Sequence, residues 1–142
     1  MSDISAATSV TIDASTQEVW AAITTPELIK QWFFGVDTHS EWRVGSALVH
    51  TGEWQGKPYE DRGEILEIEP PRLLVHTHWS PLSGRPDQPE NYEKITWALE
   101  GRDGVTELTI TEHNLSSEET KTVSEQAWSA ALNNLKGLLE AR

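Results

Sequence analysis

The sequence contains no cysteine, which excludes disulfide bonds, thiolate metal sites and a cysteine nucleophile. Basic residues are also scarce, because 11 Lys and Arg stand against 23 Asp and Glu and give a formal net charge of -12. A chain this acidic lacks the basic face that nucleic acids and anionic membranes attract, so we expect neither as a partner. No apolar run approaches the roughly 18 residues of a membrane span, and residues 1–7 lack the features of a signal peptide. These absences predict a cytoplasmic protein.

The sequence also lacks the short motifs that bind phosphates, dinucleotides or catalytic zinc, and it lacks the nucleophile elbow of hydrolases. We therefore expect no cofactor and no metal ion. These absences leave an enzymatic activity open, but they favour a protein without one.

The chain has 142 residues, of which 37% are hydrophobic, and this predicts one domain over residues 1–142 with residues 1–7 as a flexible extension. Its aromatic residues are unevenly distributed, because seven Trp accompany only two Phe and two Tyr. Wide indole rings have to be buried or to contact a partner. Several indoles on the inner face of one sheet would indicate an aromatic-lined pocket.

Hydrophobic periodicity predicts a strand, two short helices, about six further strands and a long C-terminal helix. Capping boxes mark two helix starts, one at Ser15 with Glu18 and one at Ser116 with Glu119. Short turns join the strands, which predicts an α+β fold with an antiparallel sheet of six to seven strands. One face of such a sheet has to be buried, and the last helix is the only long apolar cover. We expect a ligand cavity between the two.

In this order the segments resemble a known family, the START-like (SRPBCC) helix-grip superfamily, and within it the group related to the C-terminal domain of the activator of the heat-shock-protein ATPase (AHSA-type). The segments that carry the resemblance are Ile12 to Thr24, Pro26 to Phe33, Arg43 to Ser46, Gly63 to Leu73 and Ala127 to Lys136. The resemblance implies a curved sheet that grips the C-terminal helix around an apolar cavity. It does not imply one activity.

The candidate ligand-binding residues are those that alternation or the resemblance places towards this cavity. They are Trp32, Phe33, Leu48, His50, Trp54, His76, His78, Trp97, Ala131 and Leu135.

The facing of His76 and His78 is ambiguous. The residues alone favour Leu73, Val75, Thr77 and Trp79 as the inner set, because that set is more apolar. The resemblance implies the opposite phase, which turns both imidazoles into the cavity, and we adopt it. Buried imidazoles would be neutral anchors for a ligand, since burial lowers their pKa values. Glu112 lies near the expected rim and becomes a candidate base if it is desolvated.

Three functions follow as alternatives. The first is a binding module for a small apolar or aromatic ligand. The second is an enzyme of the cyclase or hydrolase type that uses a cavity His or Glu as acid or base. The third is a co-chaperone-like interaction domain of the stress response, with a chaperone partner and a homodimer as further possibilities.

Overall fold

The structure is a computed structural model that describes residues 4–141. Its helices and strands follow the predicted order, and the α+β class is confirmed. They are β1 Ser5–Ile12, α1 Thr16–Thr24, α2 Pro26–Trp32, β2 Asp37–Ser40, β3 Ala47–Trp54, β4 Lys57–Glu69, β5 Leu73–His78, β6 Glu93–Arg102, β7 Val105–His113 and α3 Glu118–Glu140.

The strands form one antiparallel sheet in the order β1-β7-β6-β5-β4-β3-β2. Apart from β1, which joins the far edge beside β7, neighbours in the sheet are neighbours in sequence. This order results from short reversals such as the β6–β7 turn, where Asp103 and Gly104 have φ angles of 55° and 81°. Two successive positive φ angles are the backbone of a type I′ hairpin, which an Asp-Gly pair favours. The sequence predicts this hairpin, and the structure confirms it.

Strand β4 contains the irregularity that shapes the middle of the sheet. Its register with β5 shifts between Ile65 and Glu67, and this bulge turns Leu66 to solvent. On the N-terminal side of the bulge, the strand passes so close to β5 that a Cβ atom on Gly63 would lie 1.8 Å from the carbonyl oxygen of Thr77. Glycine therefore permits the approach that brings the first half of β4 beside β5.

The helix starts follow local capping. Ser15 caps α1, and its box with Glu18 is present as predicted. The cap of α3 is Ser117 instead of the predicted Ser116, because the Ser117 hydroxyl accepts the backbone N–H of Thr120. The helix begins one residue later as a result.

Helix α3 packs on the inner face of the sheet mainly through its second half, where Ala131, Leu132, Leu135 and Leu139 are buried. The first half is less covered, and Val123, which the periodicity assigns to the apolar stripe, is 59% exposed. Within residues 4–141, no helix is long and apolar enough to span a membrane.

Two boundaries differ from the sequence-based expectation. Residues 5–7 belong to β1 and pair with β7, so they are not a flexible extension, while residues 1–3 lie outside the described residues. Strand β2 occupies Asp37–Ser40, immediately before the Glu41 at which strand structure is predicted to begin.

Candidate functional site

A cavity of about 220 Å³ lies between the inner face of the sheet and the first half of α3. We call it the α3 cavity. Its wall combines aromatic rings with ionisable side chains contributed by six strands and helices and by the segment after α2. The lining residues are Phe33, Phe34, His50, Asp61, His76, His78, Ile95, Trp97, Glu112, Ser124, Ala127 and Trp128.

Four ionisable residues lie side by side on β4 to β7 at the α3 cavity: Asp61, His78 and Glu112, which line it, and Glu93, which lies beside His78. We call them the polar row. His78 is at its centre, with Nε2 3.2 Å from Asp61 Oδ2 and Nδ1 3.3 Å from Glu93 Oε1. Burial alone would lower the pKa of His78, but the hydrogen bonds to the two carboxylates outweigh burial and raise the pKa to about 10. His78 is therefore an imidazolium at neutral pH, and both of its N–H groups are used.

Glu112 is the buried carboxyl group of the polar row. Ser124 Oγ and Trp128 Nε1 both donate to Glu112 Oε1, the latter over 3.2 Å, so two residues of α3 hold the side chain from above. Burial raises the pKa of Glu112 to about 7, and the neighbouring charge of Glu93 acts in the same direction. At neutral pH this carboxyl group exists in both protonation states.

His76 is fully bonded inside the protein. Nδ1 lies 2.9 Å from the Thr77 carbonyl oxygen, which accepts its proton, and Nε2 accepts the indole N–H of Trp97 over 2.9 Å. These two bonds specify the neutral ring with hydrogen on Nδ1. Burial lowers the pKa of His76 to about 3, which agrees with that state. His76 positions Trp97 and has no ring nitrogen left for a ligand.

His50 has one ring nitrogen to offer. Nδ1 is 2.9 Å from Thr38 Oγ1, and no hydrogen bond from residues 4–141 reaches Nε2. Burial lowers the pKa of His50 to about 4, so the ring is neutral and Nε2 donates or accepts according to the direction of the Thr38 bond.

Aromatic rings form the other wall of the α3 cavity. Phe33 stacks on Trp128 with centroids 5.7 Å apart, and Trp97 meets the Trp128 ring edge-on at 5.3 Å. Trp128 is therefore a wall residue held by its bond to Glu112. Phe34 is 61% exposed and lies at the mouth.

The predicted site residues divide into two groups. Phe33, His50, His76, His78 and Trp97 line the α3 cavity, and both His76 and His78 face inwards as the resemblance implies.

The other group lies outside the cavity. Trp32 and Leu48 border a separate void of about 10 Å³ within the apolar core, and Ala131 and Leu135 are core residues that contribute to neither space. The cavity lies at Ser124, Ala127 and Trp128, three to seven residues before Ala131, because the second half of α3 is in direct contact with the core.

Trp54 also lies outside the α3 cavity, contrary to the prediction, but for a different reason. Its ring is 58% exposed and lies at the end of β3, beside Pro81 and Leu82 of the β5–β6 loop. Alternation from Leu48 does put Trp54 on the same strand face as His50. The strand, however, extends beyond the part of the sheet that α3 covers, so that face is open to solvent there.

Sequence reasoning missed Asp61, Glu93 and Ser124. Glu93 has a usable signal, because it is in phase with the inward residues Ile95 and Trp97 of β6. Ser124 lies one turn before the predicted stripe residues Ala127 and Trp128. The alternation pattern of β4 assigns Asp61 to the wrong face of the sheet, because the bulge changes the phase of the strand.

Donor atoms of His78, Glu93 and Glu112 all lie within 4.8 Å of one another. A protonated imidazole has no lone pair for a metal ion. Because His78 carries a proton shared with two carboxylates, we interpret the group as an ion-pair network.

Comparison with protein families gives one match. The family described as Activator of Hsp90 ATPase homolog 1-like protein matches residues 13–140, which is nearly the whole chain. The chain belongs to this family. The comparison with curated proteins finds no match.

Solved structures share this fold. ChR145 from Cytophaga hutchinsonii is 39% identical, with a TM-score of 0.85 over 99% of this chain and 97% of that one. The Aha1 dimer from Colwellia psychrerythraea is 21% identical, with a TM-score of 0.76 over 96% of each chain. DynU16, from the dynemicin biosynthetic locus, is 21% identical with a TM-score of 0.77, and the match covers 99% of this chain but 48% of DynU16. The last two show the fold alone.

Proposed function

We propose that this AHSA1-like domain binds a small molecule in the α3 cavity. The observation that carries the proposal is the composition of the wall, in which stacked aromatic rings face convergent ionisable groups under one helix. Binding sites for small molecules combine an apolar lining with a few placed polar groups in this way. A solely structural core would fill this space with apolar side chains.

The volume favours a compact ligand. A dry cavity of about 150 Å³ accommodates benzene, and drug-sized ligands occupy roughly 300 to 1,000 Å³. At about 220 Å³, the α3 cavity fits a substituted aromatic ring or a molecule of similar size.

Ala127 provides a test, because it lines the α3 cavity and is itself exposed at its edge. Replacing it with Phe places a ring into the cavity without removing any core contact. Ala130→Phe is the matched control, since Ala130 is exposed on the same helix and does not line the cavity. The measurement is native mass spectrometry of each protein purified from its own host.

We expect a bound small-molecule mass in the parent and in Ala130→Phe, and its loss in Ala127→Phe. A bound mass that survives in Ala127→Phe, or no bound mass in the parent, would count against the proposal.

Acid–base catalysis is a second candidate function, favoured by Glu112. Its pKa of about 7 suits a group that both takes up and releases protons at neutral pH, and its carboxyl group lines the α3 cavity. A cyclase or hydrolase of this kind needs a second polar group within hydrogen-bond reach of the same substrate, and His50 Nε2 is one such group of the wall.

Dimerisation and a chaperone partner stay predictions. The solution structure of the Aha1 dimer from Colwellia psychrerythraea supports asking whether this chain also dimerises. The measurement is its molar mass in solution by light scattering.

A further inference from the structure

We propose that the ligand of the α3 cavity is a small organic cation, an ammonium or related group carried on an aromatic or compact apolar body. This inference rests on the proposed function, and it names the chemical class of ligand that the wall would select. Three properties of the wall support it: its hydrogen-bonding inventory, its charge and its aromatic rings.

The N–H donors of the wall are already engaged. Both N–H groups of His78 bond to Asp61 and Glu93, the Trp97 indole bonds to His76, and the Trp128 indole bonds to Glu112. His50 Nε2 is the exception, and it is able to act as donor or acceptor.

An acceptor, in contrast, lacks a partner. Asp61 Oδ1 is buried and has no hydrogen bond from the residues that the structure describes. An unpaired buried carboxylate oxygen is costly, and a ligand donor that reaches it removes that cost. The inventory therefore favours a ligand that donates hydrogen bonds over one that only accepts them.

The charge of the polar row has the same implication. Asp61 and Glu93 are carboxylates, His78 contributes one positive charge, and Glu112 adds a further negative charge whenever it is deprotonated. The row therefore carries a net charge between -1 and -2 around neutral pH. The positive charge of His78 lies between two carboxylates and is not available to an anion, so a carboxylate ligand would meet repulsion.

The aromatic rings supply the third part of the site. Phe33, Trp97 and Trp128 surround the cavity with the centroid separations given above, and Trp128 is held by its N–H bond to Glu112. A cation beside aromatic faces is attracted by the ring quadrupole, most strongly with Trp and when water is excluded. Carboxylates and indoles in one enclosed space thus form a site for an organic ammonium ion.

Matched ligands test the charge preference directly. Benzylamine, benzyl alcohol and benzoate have nearly the same size and shape but are cationic, neutral and anionic at pH 7. Their affinities are measured by NMR titration of the indole N–H signals of Trp97 and Trp128. We expect benzylamine to bind at least about ten-fold more tightly than benzyl alcohol, and benzoate to bind least.

A substitution tests whether the polar row is the source of this charge preference. Glu112→Gln keeps a hydrogen-bonding side chain beside Ser124 and Trp128 but cannot become charged. We expect it to weaken benzylamine binding several-fold more than it weakens benzyl alcohol binding. Glu107→Gln is the matched control, because Glu107 is exposed on the other face of β7, and it should change neither affinity.

The pH dependence of ligand affinity in the unmodified protein provides a further test that needs no variant. The ionisable groups that face Glu112 are Glu93 on β6 and His78 on β5. The other neighbours are the Ser124 hydroxyl and the Trp128 indole N–H on α3, and Ala6 on β1. Burial raises the pKa of Glu112 to about 7, so its charge changes between pH 6 and pH 8. The affinity for N-methylpyridinium, whose charge does not depend on pH, should rise about three- to ten-fold between pH 6 and pH 8 as Glu112 loses its proton.

Each result decides between the proposals. Equal binding of benzylamine and benzyl alcohol, or preferred binding of benzoate, overturns the cation inference and leaves small-molecule binding in place. If no member of the series moves the Trp97 and Trp128 signals, the proposed function fails as well. Tight zinc binding that Glu112→Gln abolishes would overturn the inference in favour of a metal site.

Discussion

Three histidines on the inner face of the sheet have three different chemical states. His76 is held neutral by a bond at each ring nitrogen, His50 is neutral with one nitrogen free, and His78 is charged between two carboxylates. Burial acts on all of them in the same direction. Only the carboxylates beside His78 reverse its effect, so the partner and not the depth determines the charge.

These states predict how stability depends on pH. The pKa of His78 is raised from an ordinary 6.5 to about 10, so its stabilising contribution is complete below pH 6.5 and is lost as the pH rises to about 10. The pKa values of His50 and His76 are lowered to about 4 and 3, so the unfolded chain takes up protons first and stability falls as the pH drops below 6.5. The raised pKa of Glu112 has the opposite effect on stability, because between about pH 4.5 and 7 this group binds a proton in the folded protein and not in the unfolded chain. The free energy of unfolding should be largest near pH 6.5–7.

Urea denaturation between pH 4 and pH 10 measures this profile. In His78→Gln the decline on the alkaline side should flatten, whereas His113→Gln, at an exposed position of β7, should keep the parent's profile. An alkaline decline of equal size in His78→Gln and the parent would contradict the assignment of charge to His78.

The sequence could predict the facing of His76 and His78 only through the family resemblance, since simple alternation favours the opposite phase. The charges of His76 and His78 could not be predicted from the sequence, because each depends on a partner from another strand. Asp61 shows the difficulty best. Counting back from Ile68 in steps of two reaches Leu66, Glu64 and Arg62 and passes over Asp61, because the bulge after Ile65 changes the phase of β4. A bulge has no reliable signature in one sequence.

At the scale of elements, α3 has two functions along its length. Its second half is part of the core, and its first half covers the α3 cavity, where Ser124 and Trp128 hold Glu112. The helical periodicity predicts one continuous apolar stripe and cannot distinguish these halves. Apolar spacing indicates which residues face the sheet, but the distance to the sheet depends on the side chains beneath them.

Two substitutions by Ala on α3 should therefore differ. Leu135→Ala removes a fully buried side chain from the core and should cost about 2–5 kcal/mol of unfolding free energy. Val123→Ala, at a position 59% exposed, should change it by less than about 0.5 kcal/mol. Urea denaturation of both variants checks the difference. Similar losses at the two positions would mean that α3 is seated differently from this description.

For the whole molecule, the order of elements was enough to predict the antiparallel sheet and the long covering helix. Turn signals such as Asp103-Gly104 and the capping box at Ser15 are local, so they are readable without tertiary structure. The contents of the α3 cavity are not local. They depend on which residues of five strands meet under α3, and the polar row combines residues separated by as much as 51 positions, from Asp61 to Glu112. The sequence therefore predicts that a cavity should exist, and five of its ten candidate residues line the α3 cavity.

The central claim is that the α3 cavity, and not another surface of this AHSA1-like domain, receives a small ligand. The most direct measurement is a two-dimensional ¹H–¹⁵N NMR titration of the seven indole N–H signals with benzylamine and benzyl alcohol. Binding in the α3 cavity predicts saturable shifts of the Trp97 and Trp128 signals, while the signal of the exposed Trp54 stays constant. Shifts confined to Trp54, or none at saturating concentrations, would contradict the claim.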